Sequence, residues 1–295
     1  MQKVSILHLI TAAKNASPFD VNMAYDAGFD KIMPYTNVVL NEVAGLTQDA
    51  IFSRSPSGVK REALFIGGRD IHLALTMQQA TKNAMFTPFE MSTFADPSGA
   101  FTTAAAMLAK VDTVLKNNQQ ELAAQTIAIL GAGGAVGSTV ALIAASLGAT
   151  VQLVAHKELA QMQAYAAELE SKYGLALQVV DGTDDVKKTQ IVQTATVAIC
   201  AAAAGIRVLE LAHFITSKTL KIVADVNAVA PSGAAGVDVM SDGQLIADTQ
   251  IFGLGALAIG QLKYKTQQAM LQQMLETEHP VHLAYNHAFD IARAF

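Results

Sequence analysis

One stretch of the chain has the spacing to bind a charged ligand through its backbone: Gly131-Ala132-Gly133-Gly134-Ala135-Val136-Gly137, which follows the apolar run Thr126-Ile127-Ala128-Ile129-Leu130. A glycine-rich turn between a buried strand and a helix lets the backbone approach a diphosphate, whose charge is then met by free amides and the positive end of the helix dipole. The segment threads on the dinucleotide fingerprint in two ways, as Gly131, Gly133 and Gly137 or as Ala132, Gly134 and Gly137. Gly131, Gly133, Gly134, Ala135, Val136 and Gly137 are therefore the expected diphosphate cradle. The next strand of such a unit, 150–155, ends at His156 and Lys157, where a carboxylate would bond the ribose 2′-hydroxyl and repel a 2′-phosphate. A cation there favours NADP, while a lone Lys beside a titratable His is a weaker clamp than Arg and leaves NAD acceptable. Asn227, in Asp225-Val226-Asn227-Ala228, marks another strand end expected to face the same crevice.

The remaining polar candidates are scattered. Asp20 lies in Ser17-Pro18-Phe19-Asp20, Tyr35 and Thr36 at a strand end, and Asp96 in Phe94-Ala95-Asp96-Pro97-Ser98-Gly99. An Asp before a helix is most often a cap, so spacing alone does not place Asp20 or Asp96 on a substrate. Near the C-terminus Gly253-Leu254-Gly255-Ala256-Leu257-Ala258-Ile259-Gly260 precedes Gln261-Leu262-Lys263-Tyr264-Lys265. Glycines this dense let backbone pass close to a flat ring, and a Lys leaving such a stretch stands beside whatever lies there. Neither G-x-S-x-G nor H-E-x-x-H occurs and the 7 histidines lack ligand spacing, so metal catalysis is not expected.

Short β-rich runs alternating with helical patterns must hold these residues, the signature of a parallel α/β sheet. The early runs are 4–10, 31–35, 63–66 and 90–94, with a helix at 71–83; a long Ala-rich helix follows at 102–116. The polar break Asn117-Asn118-Gln119-Gln120 reads as a domain boundary. After it come the strand 126–130, a helix to 147 stopped by Gly148, the strand 150–155, and later strands at 177–180, 197–201, 221–224 and 251–253. The tail 263–295 reads as helices that return to the first domain. The expectation is an α/β protein: a Rossmann-type dinucleotide-binding domain at 121–263 and an N-terminal α/β substrate domain at 1–120, completed by C-terminal helices at 264–295.

Composition narrows the partners. With 52% hydrophobic and 15% charged residues, the 295-residue chain is neither disordered nor a coiled coil. The 20 Lys+Arg against 25 Asp+Glu leave a formal charge of −5 and no basic field for nucleic acid or anionic lipid, so small molecules are the expected partners. One cysteine, Cys200, excludes a disulfide framework and suits a reducing compartment. The apolar stretch 4–13 after Met1-Gln2-Lys3 reads as a buried first strand rather than a signal peptide, and no stretch suits a membrane span, so a cytoplasmic location is expected.

Several segments together resemble the NAD(P)-dependent methylenetetrahydromethanopterin dehydrogenase family of methylotrophic bacteria. They are Ser5-Ile6-Leu7-His8, Ser17-Pro18-Phe19-Asp20-Val21-Asn22-Met23-Ala24, Ile51-Phe52-Ser53-Arg54, Phe65-Ile66-Gly67-Gly68, Phe94-Ala95-Asp96-Pro97, Asp225-Val226-Asn227-Ala228 and Gly255-Ala256-Leu257-Ala258. The resemblance spans essentially the whole chain. It implies hydride transfer from the methylene bridge of a reduced pterin to C4 of a nicotinamide, giving the methenyl cation, in formaldehyde oxidation. It implies Lys263 as the catalytic lysine, with Asp20 and Asp96 at the pterin ring nitrogens, and a homo-oligomer. The NADP-restricted relative carries Arg-Lys where this chain has His156-Lys157, which points to the branch that uses both cofactors.

Overall fold

The computed structural model describes residues 3–295. In chain order the elements are β1 (Ile6–Ile10), α1 (Pro18–Asp26), β2 (Lys31–Tyr35), α2 (Val43–Phe52), α3 (Pro56–Val59), β3 (Glu62–Ile66), α4 (Ile71–Ala84), β4 (Ser92–Ala95) and α5 (Ala100–Asn117). There follow β5 (Thr126–Leu130), α6 (Ala135–Ser146), β6 (Thr150–Ala155), α7 (Leu159–Tyr173), β7 (Gln178–Asp181), α8 (Asp185–Thr194), β8 (Val197–Cys200), α9 (Leu211–Phe214) and β9 (Ile222–Asp225). The chain closes with β10 (Asp242–Leu245), β11 (Phe252–Leu254), α10 (Ala256–Glu276), β12 (His282–Leu283) and α11 (Tyr285–Ala292).

These elements form two compact units, the first made of the described residues up to Thr102 with Tyr264–Ile291, the second of Thr103–Lys263 with Ala292–Phe295. The first division falls inside α5, not at the polar break of residues 117–120 where a boundary was expected. The break is where α5 ends, and a change of element need not be a change of core.

The first unit is a five-stranded parallel sheet in the order β12-β4-β3-β1-β2. Every residue of β3 and β4 is buried, as expected of parallel strands covered on both faces. Phe65 of β3 meets Phe94 of β4 edge to face, ring centroids 5.2 Å apart. Glu62 tolerates burial at the start of β3 because Arg54 Nε lies 2.7 Å from its carboxylate. The edge strand β2 carries Pro34, which has no ladder donor and blunts that edge. Local chemistry sets the helix starts: Pro18 opens α1 behind Ser17, whose Oγ accepts from the Asp20 amide, and Asp70 caps α4 by accepting from the amides of His72 and Leu73.

The second unit is a seven-stranded sheet in the order β10-β11-β9-β8-β5-β6-β7. Counted from β5 and leaving aside β10, the strands run 3-2-1-4-5-6, the doubly wound order that binds dinucleotides where the direction of winding reverses, between β5 and β8. Its core includes Leu130, Val154, Cys200, Phe214 and Val223, all nearly inaccessible. Two strands escaped the sequence reading. β10 pairs antiparallel with β11 although Ser241-Asp242-Gly243-Gln244 looks like a turn, and β12 is only two residues long, held by β4. The glycine-rich segment near the C-terminus is also redistributed: the strand is Phe252–Leu254, and α10 begins at Ala256.

Candidate active site

The glycine turn divides its labour by position. Gly131 has φ +90°, and a Cβ there would lie 2.5 Å from the backbone of Ala201 and Ala202. A Cβ on Gly137 would lie 2.4 Å from the Gly131 carbonyl oxygen. A Cβ on Gly133, in contrast, would meet nothing nearer than Met162 Cε at 4.0 Å, so glycine here is not required by the protein's own packing. These are the fingerprint's three jobs: tight turn, open approach for a diphosphate, and close helix packing. Of the two threadings, the geometry favours Gly131, Gly133 and Gly137. Gly134 is the N-cap of α6 without a side-chain cap bond, and at a helix start the amides of Ala135, Val136 and Gly137 have no acceptor within the helix. Ser138 Oγ, donating to the Ala132 carbonyl at 2.8 Å, holds the turn.

His156 and Lys157 follow β6 and are exposed, ahead of α7. Ala155 is in register with Asp181 at the end of β7. That carboxylate is engaged elsewhere: Lys187 Nζ lies 2.9 Å away and Thr183 donates from both its hydroxyl and its amide. The Lys187 and Thr183 bonds hold the Asp181 pKa down at about 2.

Asn227 is 5% exposed, and its amide group is occupied by backbone: Oδ1 accepts from Gly205 and Val229, and Nδ2 donates to the Pro231 carbonyl. It thereby ties together the loops that follow β8 and β9.

In the first unit, a cavity of about 210 Å³ opens at the C-terminal ends of β1 and β3, lined by Ala12, Ala13, Gly67, Gly68, Leu73 and Met77 among others. Such strand ends are where open parallel sheets bind ligands. Asp20 on α1 is 5% exposed; its Oδ2 would lie 3.8 Å from a Cβ on Gly67, and its Oδ1 accepts from Gln267 Nε2 at 3.1 Å. Asp96 is fully buried. Its Oδ1 accepts from the amides of Phe101 and Thr102, and its Oδ2 from the Thr102 hydroxyl at 2.7 Å. Its carboxylate thus serves the first turn of α5, where a buried acceptor satisfies orphan helix donors.

Lys263 lies within α10 and is half-buried, whereas Lys265 is exposed. Residues two apart do not share a helix face, but residues four apart do, so Lys263 stands one turn before the buried Gln267. Of the glycines preceding it, Gly260 has open space where a Cβ would stand, and Gly255 does not. A Cβ on Gly255 would lie 2.1 Å from the Asp238 carbonyl oxygen, so that glycine serves the protein's own backbone crossing. Sequence reasoning missed Gln267, whose only signal was its four-residue spacing from Lys263, and the cavity, whose only signal was Gly67-Gly68.

A doubly wound sheet with a fingerprint turn at its switch point, in a chain that also carries a separate parallel α/β unit, is the framework of nicotinamide-dependent dehydrogenases. Shikimate 5-dehydrogenase from Listeria monocytogenes, solved with shikimate and NAD, has the same fold at 14% identity, with TM-score 0.54 over 98% of this chain and 96% of that one. A family described as methylene-tetrahydromethanopterin dehydrogenase, N-terminal, matches residues 18–98. The NAD(P)-dependent methylenetetrahydromethanopterin dehydrogenase of Methylorubrum extorquens is 40% identical over 289 residues, 98% of this chain and 97% of that protein. The protein called bifunctional protein MdtA of the same organism is 31% identical over 279 residues, 90% of each. The chain belongs to the methylenetetrahydromethanopterin dehydrogenase family. Among the described residues no helix is long and apolar enough to cross a membrane.

Proposed function

We propose that this enzyme oxidises 5,10-methylenetetrahydromethanopterin to the methenyl form with NAD+ or NADP+, a step of one-carbon (formaldehyde) oxidation. The observation that carries this reading is the 40% identity, over nearly the whole of both chains, to a dehydrogenase of that name. The turn of Gly131, Gly133 and Gly137 with the first amides of α6 fits the diphosphate, since room is left at Gly133 and a dipole end faces it. When bound, the nicotinamide supplies the hydride acceptor.

The methylene carbon needs no general base, because its two flanking nitrogens stabilise the cation left when hydride departs. Positioning is then most of the catalysis. Lys263 orients the pterin through a polar contact, Asp20 holds ring nitrogens, and Gln267 fixes the Asp20 carboxylate. Asp96 acts through α5, whose first turn it holds. Apolar side chains at Ala12, Ala13, Leu73 and Met77, on a wall that also carries Arg69 and Asp70, limit the access of water to the product, which water would open. The enzyme works in the cytoplasm as a homo-oligomer, with no nucleic acid or membrane partner.

Reduction of NAD and NADP, followed with methylenetetrahydromethanopterin, methylenetetrahydrofolate and shikimate in parallel, tests the reading. Turnover should be confined largely to the methanopterin substrate; comparable rates with the folate carrier would overturn the substrate assignment.

A further inference from the structure

Two loops leave the sheet of the second unit at the C-terminal ends of β8 and β9, beside the glycine turn. The first, Ala201-Ala202-Ala203-Ala204-Gly205, has no side chain able to fix its own path. Its start is nonetheless packed tightly under the turn, since Ala201 and Ala202 crowd the place where a Cβ of Gly131 would be, at 2.5 Å. The Ala201 amide, donating to the Leu130 carbonyl at 2.8 Å, ties down that start, and the far end at Gly205 needs a hold from outside the loop.

The second loop supplies that hold through two buried polar side chains. Asp225, the last residue of β9, is 2% exposed; its Oδ1 accepts from the Asn227 amide at 2.9 Å and its Oδ2 from the Ala234 amide at 3.0 Å. Asn227 then extends across: its Oδ1 accepts from the Gly205 amide at 3.2 Å and from the Val229 amide at 3.0 Å, while Nδ2 donates to the Pro231 carbonyl at 3.0 Å. A Cβ on Gly233 would come within 2.6 Å of Asp225 Oδ1, so the close wrap of the loop around the carboxylate requires glycine. Burial pushes the Asp225 carboxyl above the usual carboxylate range, against the backbone amides of Asn227, Ala234 and Gly233 and the more weakly acting charge of Arg207. A carboxyl kept in so unfavourable a place, with its bonds directed to one loop and the neighbouring Asn directed to another, is built for geometry.

We propose that Asp225 and Asn227 are positioning residues for the cofactor, clamping the alanine loop against the glycine turn and so setting the shape of the crevice that receives the nicotinamide half. The proposal rests on the reading of that turn as the NAD(P) site. In Asp225→Asn one acceptor becomes an NH2 group facing a backbone N–H, and in Asn227→Ala the bond to Gly205 disappears while the bond from Ala234 to Asp225 stays. Calorimetric titration of each variant with NADH and NADPH should show Kd raised for both cofactors together, by roughly tenfold, the scale of one lost buried hydrogen bond. KM for the methylene substrate should hardly move, and Asn227→Gln, which is too long for the Gly205 amide, should not rescue. Absence of NADH and NADPH binding to the wild-type chain would overturn the reading of the turn itself. Wild-type binding with unchanged Kd in both variants, or failure of both variants to fold, would overturn the clamp in favour of a purely structural pair.

Discussion

Gln267 donates through Nε2 to Asp20 Oδ1 at 3.1 Å, and both side chains are buried. The bond joins the first turn of α1 to α10 within one unit, although the two residues are 247 apart in sequence. It turns a carboxylate that spacing presents as a helix cap into an oriented acceptor, one helical turn along from the level of Lys263.

Gln267→Ala should therefore leave Asp20 misdirected rather than absent. The expected result is a fall in kcat/KM for the pterin of about tenfold, with Kd for NADPH unchanged. Steady-state kinetics beside cofactor titration checks it, and a parallel rise in cofactor Kd would count against the assignment.

Lys263→Ala should lose activity on the order of 100-fold while folding normally, the scale of lost substrate positioning. Lys265→Ala, altering the other side of the helix, should stay near wild type. Equal losses in the two variants would remove Lys263 from its role.

Two of the three glycines of the turn should separate in a simple pair of substitutions. Gly137→Ala forces a Cβ to 2.4 Å from a backbone oxygen and should cost about 1–3 kcal/mol of stability. Gly133→Ala has room in the free protein, so its melting temperature should match wild type while NAD and NADP both bind more weakly. Tight cofactor binding by Gly133→Ala would move the diphosphate away from Gly133.

Lys157→Glu should discriminate between cofactors instead. A carboxylate at the end of β6 should repel the 2′-phosphate and raise KM for NADP, leaving NAD nearly unaffected. Equal weakening of both would show that this position does not read the 2′ group.

Burial lowers the pKa of His282 and His287 below the usual 6.5, aided by the charge of Lys82. An unfolded chain takes up protons on these imidazoles more readily than the folded one. The stability they support is thus complete above pH 6.5 and falls as pH drops through the folded values. Thermal melts at pH 7.5 and pH 5.5 should show a lower Tm at the acid value, and the double variant His282→Gln, His287→Gln should narrow the gap. An unchanged gap would exclude these residues as its source.

Much of this architecture is legible in the chain. β5 and β6 fall on the runs at 126–130 and 150–155, because parallel strands buried on both faces leave apolar runs, and β2 falls on 31–35 although, as an edge strand, it is largely exposed. β10 is not legible, because an edge strand is made by its neighbour: Asp242, Gln244 and Leu245 pair only because β11 offers free backbone groups, and Gly243 is passed over where the register shifts. Site residues divide similarly. The turn from Gly131 to Gly137 announces itself through backbone constraints local to the sequence. The partners of Asp96 are the amides of Phe101 and Thr102, and that of Asp20 is a glutamine from far along the chain; neither follows from spacing.

The last strand of the first sheet has a temporal meaning. β12 lies next to β4 at the sheet edge, and Gln78 of α4 donates to both Thr93 and the Leu283 carbonyl, so the first unit draws part of its framework from residues synthesised long after its other strands. All seven strands of the second unit precede them, ending at Leu254. On the ribosome the order of completion is then the reverse of the order of appearance: the later-encoded sheet closes first, while the earlier one waits with β4 unpaired on one side until residues 282–283 emerge.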